Sequence, residues 1–290
     1  MKHAFLVWVQ YLLPQRLISL IIYHTARCTF PPLKNLLIKW FKKRYEIDLG
    51  EAEETNHLNY ESFNAFFTRR LKTSARPISG DEHTIISPVD GHLTHFGTAS
   101  TKKLIQAKGI FYSTEELLGE ARGLAELNQI SYMTLYLSPR QYHRVHLPLS
   151  GKLLKTRYIP GKRFSVNKVT ASYVKGLYCL NERVISWFKT DAGTMAVVFV
   201  GALNVSSIST QWMGEIKSRR TKTWDANEVN AQRYERGDEI GKFNLGSTVI
   251  LIMNPNNLVW CSRLNQGQQI NMAEKIGTVV TNPINKKKYV

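Results

Sequence analysis

The chain opens on apolar residues that are broken at intervals. Residues 4–23 read AFLVWVQYLLPQRLISLIIY. A membrane span needs roughly 20 mostly apolar residues. Gln10, Pro14, Gln15 and Arg16 interrupt this run, and no A-x-A-like site follows, so neither a spanning helix nor a signal peptide is expected. Further on, Leu33, Leu36, Leu37, Trp40 and Phe41 recur at helical spacing, flanked by Lys34, Lys39, Lys42, Lys43 and Arg44. Residues 1–45 are therefore predicted helical in two or three pieces, broken near Pro14 and at Pro31-Pro32. The stretch 58–72 predicts another amphipathic helix, with Tyr60, Phe63, Phe67 and Leu71 on one face and Arg69, Arg70 and Lys72 mostly off it.

From Ile85 onward the period shortens. Runs such as Thr134–Leu137, Leu153–Ile159, Arg183–Phe188, Thr194–Val200 and Thr248–Met253 are rich in β-branched and aromatic residues and bounded by Gly, Pro, Asn and Asp. These predict strands in mostly antiparallel pairing. Ser113 with Glu116 three residues later is a capping box and Gly119 a stop, so a short helix is expected between them. The stretch Gln211–Trp224, with Lys217, Arg219, Arg220 and Lys222, reads as an exposed basic loop or strand edge, and Lys286-Lys287-Lys288 as a solvated tail. The fold class is α+β. A region of amphipathic helices, 1–50, precedes a β-rich, mostly antiparallel domain, 51–290.

Composition narrows the function. Hydrophobic residues make up 43% of 290, enough for a sizeable core. Cys28, Cys179 and Cys261 lack CxxC spacing, which argues against a zinc ribbon or disulfide framework and for a reducing compartment. A net charge of +17 implies anionic partners. Its placement favours a lipid surface, because no Asp or Glu precedes Glu46 while basic residues alternate with large apolar ones. The alternative for residues 33–45 is a helix packed on its own core with a solvated basic face.

Three segments carry candidate chemistry. Leu245-Gly246-Ser247-Thr248 sits at the head of an apolar run. A Ser hydroxyl can attack the unshielded carbonyl of a preceding Gly. Elimination from the resulting ester, then hydrolysis, turns the Ser into a pyruvoyl ketone. A plain Gly-Ser turn entering a strand fits the tetrapeptide as well. Such a Ser needs a base. Tyr142-His143-Arg144-Val145-His146 offers two histidines which, in extended chain, point to different faces and so serve different ends. A metal pair is disfavoured there, since no further ligands cluster nearby. Asp90, in Ser87-Pro88-Val89-Asp90-Gly91, is either a turn residue or a carboxylate that orients an imidazole.

Together these motifs resemble the bacterial phosphatidylserine decarboxylases. The resemblance rests on Gly241-Lys242-Phe243-Asn244-Leu245-Gly246-Ser247-Thr248, on Ser138-Pro139-Arg140-Gln141-Tyr142-His143-Arg144-Val145-His146 with Pro148 and Gly151, and on the Asp90 motif. Tyr158-Ile159-Pro160-Gly161, Asn181-Glu182-Arg183-Val184, Phe63-Asn64 through Phe66-Phe67 and Arg76-Pro77-Ile78 extend it over about 58–280. Gln141 in place of an Asp, the Lys162-Arg163 pair and Ser206 depart from the family pattern, none of them at the Asp, His or Ser positions.

The resemblance implies a precursor that cleaves itself between Gly246 and Ser247 into a β chain, 1–246, and an α chain, 247–290, which stay together as a heterodimer. Asp90, His146 and Ser247 would form the processing triad, with Asp90 orienting His146. Ser247 would become the covalent pyruvoyl cofactor, and His143 would serve proton transfer during decarboxylation. The implied substrate is phosphatidylserine and the implied product phosphatidylethanolamine. The place of action would be the cytoplasmic face of the cell membrane, held peripherally, with no metal and no nucleic-acid partner. A Ser-His-Asp lipid hydrolase would normally show G-x-S-x-G before a helix. A non-catalytic basic protein would leave the three motifs without a purpose.

Overall fold

The computed structural model describes residues 2–203, 207–229, 232–245 and 247–280. Ser206, Gly246 and the Lys286–Lys288 tail lie outside the described residues, as do the side chains of Ser247, Arg16 and residues 2–6.

Three helices begin the chain: α1 (Lys2–Leu12), α2 (Gln15–Arg27) and α3 (Pro31–Tyr45). Pro14 caps α2, and Pro31 and Pro32 occupy the first turn of α3, where a missing N–H costs nothing. The breaks fall where the prolines predicted them. No described helix is long and apolar enough to cross a membrane.

The face of α3 differs from its sequence reading. Ile38 and Phe41 are buried with half-buried Leu37 behind them, while Leu36 and Trp40 are 66% and 57% exposed. Lys34 is buried, and its ammonium donates to the carbonyls of Leu58 and Tyr60. One side of α3 therefore packs inward, and the opposite side shows apolar residues to the surroundings.

The helix expected over 58–72 shrinks to α4 (Phe63–Phe67). Ser62 starts it by accepting from the Ala65 N–H. Thr68 ends it, its hydroxyl donating back to the Asn64 carbonyl, and Leu71 leaves to bridge Ala52. Local side-chain caps outweigh the apolar period here. Phe63 and Phe67 still meet Phe41 of α3, with ring centroids 5.0 and 5.8 Å apart.

The rest is mainly sheet with a few short helices, and every strand pairing among the described residues is antiparallel. The short helix Thr114–Leu118 carries the predicted capping box. A nine-stranded sheet holds the predicted strands in the spatial order 151–159, 183–190, 193–200, 247–253, 129–137, 91–100. Its middle strand, Ser247–Met253, pairs on both sides, and Thr248–Met253 is fully buried. Strands covered on both faces read as unbroken apolar runs, which is why this one stood out. A four-stranded sheet, ordered 214–215, 207–210, 239–244, 144–146, packs beside it.

Register ties the motifs to one end of the large sheet. Ile159, Arg183, Val200, Thr248, Tyr136 and His92 form a single row across six strands. Ser247, Leu137 and Asp90 lie just beyond that row.

Candidate active site

The candidate bond lies where the chain passes between sheets. Strand Glu239–Asn244 belongs to the four-stranded sheet, and Ser247 is the first residue of the central strand of the nine-stranded one. Only Leu245 and Gly246 separate them. Asn244 is pinned upstream: its amide donates to the hydroxyls of Ser207 and Ser209 at 2.9 and 3.0 Å, and its oxygen accepts from Asn64. Leu245 has φ 84°, a left-handed conformation rare for a branched residue. It is held there by burial in the cluster of Phe41, Phe63, Phe66 and Phe67. Strain of this kind costs on the order of 1–3 kcal/mol and persists only where packing enforces it.

His143 lies beside this crossover. Its carbonyl accepts from the Phe243 N–H at 3.0 Å, and its ring packs on Phe67 with centroids 4.0 Å apart. The side chain is completely buried. Nδ1 donates to the Gln141 carbonyl at 2.7 Å, and Nε2 has no partner among the described residues. Burial drives its pKa down to about 3, with the charge of Arg69 adding to the effect and the Gln141 bond opposing it. His143 is therefore a neutral imidazole with an open lone pair in a dry site.

His146 faces elsewhere. Its strand, Arg144–His146, pairs with 239–244, and His146 stands opposite Glu239. Nδ1 bonds the Gly237 carbonyl at 2.7 Å, and Nε2 meets the Tyr142 hydroxyl at 2.9 Å. Burial lowers its pKa, against the Gly237 bond. The tautomer follows from these partners: Nδ1 carries the proton and Nε2 is the basic nitrogen.

Asp90 does not make the expected bond to His146. Arg76 grips its carboxylate with Nε at 3.0 Å and Nη2 at 2.7 Å, and the Met272 N–H donates to Oδ1 at 2.7 Å. A forked guanidinium outcompetes a neutral imidazole for a carboxylate. The two residues remain neighbours through the backbone, because the His146 N–H donates to the Pro88 carbonyl at 2.8 Å. Arg76 also reaches Glu51, and the two carboxylates raise its pKa against burial.

Sequence reasoning gave no role to Arg76, Tyr142 or the Gly237 carbonyl. Arg76 and Tyr142 fall inside quoted motifs, but nothing in their spacing marks them as partners of Asp90 and His146. The Gln141 departure is absorbed locally, its oxygen accepting from the Ser138 N–H at 2.6 Å. Arg163 of the Lys162-Arg163 pair donates to Glu182 at 2.7 Å. Among the described residues, no group of His, Cys, Asp and Glu gathers to hold a metal ion.

The strained crossover and the buried imidazole with an unpartnered nitrogen thus lie side by side. A family model described as phosphatidylserine decarboxylase matches residues 63–278, and a second, described as PSD, matches 5–46. A phosphatidylserine decarboxylase proenzyme of Francisella tularensis subsp. novicida is 45% identical over 270 residues, covering 92% of this chain and 94% of its own. One from Ectopseudomonas mendocina is 42% identical over 285 residues, covering 96% and 99%. The chain is thus a decarboxylase, and it belongs to the phosphatidylserine decarboxylase family.

Proposed function

We propose that the chain cleaves itself between Gly246 and Ser247 and then converts phosphatidylserine to phosphatidylethanolamine and CO₂ at a membrane surface, in phospholipid biosynthesis. The observation that carries the self-processing step is the crossover. The bond lies between a pinned Asn244 and a fixed central strand, and Leu245 is held at φ 84° beside it. In this reading His146 Nε2 takes the Ser247 hydroxyl proton, the oxygen attacks the Gly246 carbonyl, and the Gly246–Ser247 C–N bond breaks as the proton passes to the freed amine. Elimination across Ser247 Cα–Cβ then releases the Gly246 carboxylate, and hydrolysis of the dehydroalanine gives the ketone and ammonia. Asp90 acts on His146 through its charge and the shared 88–90 segment, not by a direct bond.

The pyruvoyl ketone left at residue 247 supplies the electron sink that lets a carboxylate depart as CO₂. His143 is suited to the proton this requires at the substrate α-carbon. It starts neutral, and an anionic substrate offsets the nearby Arg69 charge, so its proton affinity rises on binding. The α chain, 247–290, would remain bound after cleavage. Its first strand pairs from Ser247 to Met253 with one neighbour and from Thr248 to Met253 with the other, which supports two chains held together as a heterodimer. Peripheral attachment to the cytoplasmic face of the cell membrane is supported by the exposed apolar side chains Trp8, Leu17, Leu20, Phe30, Leu36 and Trp40 on and around the first three helices.

A denaturing mass measurement tests the reading. Two fragments that divide after residue 246, the smaller beginning with a pyruvoyl group, are the expected outcome. A single intact chain that nevertheless decarboxylates phosphatidylserine would overturn it.

A further inference from the structure

A pocket of about 370 Å³ opens between α4 and the strand Glu239–Asn244. Arg69 lies in its wall. This side chain is only 6% exposed, yet it makes a single hydrogen bond, from Nη2 to the Arg140 carbonyl at 3.1 Å. Its Nε and Nη1 are buried without a partner among the described residues. Among the described residues no carboxylate forms an ion pair with it, though the charges of Asp90 and Glu51 act on it from farther off, and the Phe66 ring lies 5.7 Å from the guanidinium carbon. An unpaired buried charge is costly, because water is lost and nothing replaces it. A fold keeps such a group where a ligand completes it.

The surroundings fit an anion. Lys242 lines the same pocket, half-buried and without a carboxylate partner, and burial together with Arg144 and Arg70 lowers its pKa. Arg70 stands exposed at the mouth. Arg144 is already spent on Glu239, with both oxygens within 2.9 Å. Glu53 and Glu61 occupy the solvent side, and Glu54 is engaged by Asn56 and Asn59. Acids beside Arg70 on the exposed side disfavour a long polyanion, while Lys242 and Arg69 farther in favour a small anionic group.

We infer that this pocket is an anion site for a phosphoryl group, contacted by Lys242 and Arg70 and favoured by the uncompensated charge of the buried Arg69 guanidinium in its wall. A planar guanidinium fork matches phosphate oxygens, and a lysine ammonium adds a mobile point charge. The site is linked to His143 through Arg69, whose charge acts on that imidazole. A phosphoryl group here is thus close enough to change the charge felt at the candidate chemistry. That this group is the headgroup phosphate of the lipid substrate rests on the decarboxylase reading. The anion site itself does not.

The test is direct titration of inorganic phosphate into the full-length protein, at constant ionic strength. Saturable binding is expected, weakened at least tenfold in Lys242→Gln and severalfold in Arg70→Gln. Arg69→Gln should weaken it severalfold through the lost charge, and the two more exposed variants keep the test valid if that one fails to fold. Absence of saturable binding, or an unchanged dissociation constant in Lys242→Gln, would overturn the site. Because this binding needs no turnover, it stands or falls apart from the decarboxylation. Steady-state assays then distinguish the sources. Inhibition competitive with dispersed phosphatidylserine supports the headgroup, whereas inhibition that leaves KM unchanged overturns that assignment and supports free phosphate.

Discussion

The Tyr142 hydroxyl sits 2.9 Å from Nε2 of His146, on the one ring nitrogen that can take a proton. The other nitrogen is committed to the Gly237 carbonyl. The phenol is buried, and burial raises its pKa, so it donates rather than ionises. His146 is thus a neutral base with its lone pair capped. For His146 to act on Ser247, the Tyr142 hydroxyl has to turn aside. The Asp90 carboxylate is likewise occupied, by Arg76. Both members of the expected triad that precede Ser247 in sequence are held by residues that no motif arithmetic singled out.

Arg76 and Asp90 should behave as one unit. Their side chains are 12% and 8% exposed, and removing one partner of a buried pair typically costs about 3–5 kcal/mol. Arg76→Gln is expected to destabilise toward the lower end of that range, since Glu51 shares the guanidinium at the surface. Asp90→Asn should cost less and should slow self-cleavage. Urea unfolding of both singles and the double variant closes the cycle. Additive losses would show that the pair carries no coupling.

The two histidines should separate by phenotype. His143→Ala is expected to cleave at Gly246–Ser247 and then decarboxylate poorly, because the His143 ring, neutral and unpartnered at Nε2, lies beside the strand that leads into the crossover. His146→Ala is expected to stay as one chain. Gel analysis followed by a CO₂ release assay reads both steps. A folded His143→Ala that fails to cleave would mean that the roles are divided wrongly.

Strain at Leu245 gives a comparison internal to one position. Leu245→Ala loses packing but keeps the penalty of a positive φ, whereas Leu245→Gly loses both. If the strain assists cleavage, the Ala variant should mature faster than the Gly variant by up to about tenfold, the rate equivalent of 1–1.4 kcal/mol. Equal rates, or faster maturation of the glycine variant, would remove strain from the account.

Acid should weaken the fold through His143 and His146. Both are held neutral by burial, with folded pKa values below that of an ordinary histidine, about 6.5. Between that value and the folded pKa, the unfolded chain binds more protons. Stability is therefore full above about pH 6.5 and falls as pH drops toward the folded value, which for His143 is about 3. The slope reaches at most about 1.4 kcal/mol per pH unit for each histidine. His143→Gln should remove one histidine's share of that slope in urea melts between pH 6 and 4. An unchanged slope would show that the His143 environment is wetter than its burial implies.

How much was legible in the sequence depends on whether the signal was local. The strand Ser247–Met253 announced itself because a central strand buried on both faces must be apolar throughout. The Ser113 capping box, Pro14 ahead of α2 and the two prolines in the first turn of α3 are likewise short-range devices, and they fixed those helix boundaries. The 58–72 helix failed because its apolar spacing was real but Ser62 and Thr68 cap a single turn inside it. Lys34 looked like a membrane-facing cation and is instead a buried clamp on the Leu58 and Tyr60 carbonyls. Partners such as Arg76 with Asp90, or Met272 with Asp90, are distant in sequence, and only the folded sheets bring them together.

The membrane surface of the helices is the last test. On α3, Ile38 and Phe41 are committed to the core, so only the outward residues are free to meet lipid. These are Leu36 and Trp40, with Lys39, Lys43 and Arg44 exposed around them. An aromatic and aliphatic strip bordered by cations suits the headgroup region of an anionic bilayer. Reversing Lys42, Lys43 and Arg44 to Glu removes three attractions of about 1 kcal/mol each, which is over a hundredfold in partitioning, before any repulsion is counted. Raising salt should give a milder version of the same loss. Trp40→Ala and Leu36→Ala should weaken the remainder that salt does not touch, without unfolding the chain, because neither side chain is buried. Self-cleavage should persist in all these variants, since none of the altered residues reaches the crossover at Leu245–Ser247. Co-sedimentation with anionic vesicles, run beside a gel for cleavage, reads both properties. If the triple reversal and the parent chain sediment equally, α3 is only a packing helix, and attachment has to be sought in α1 and α2.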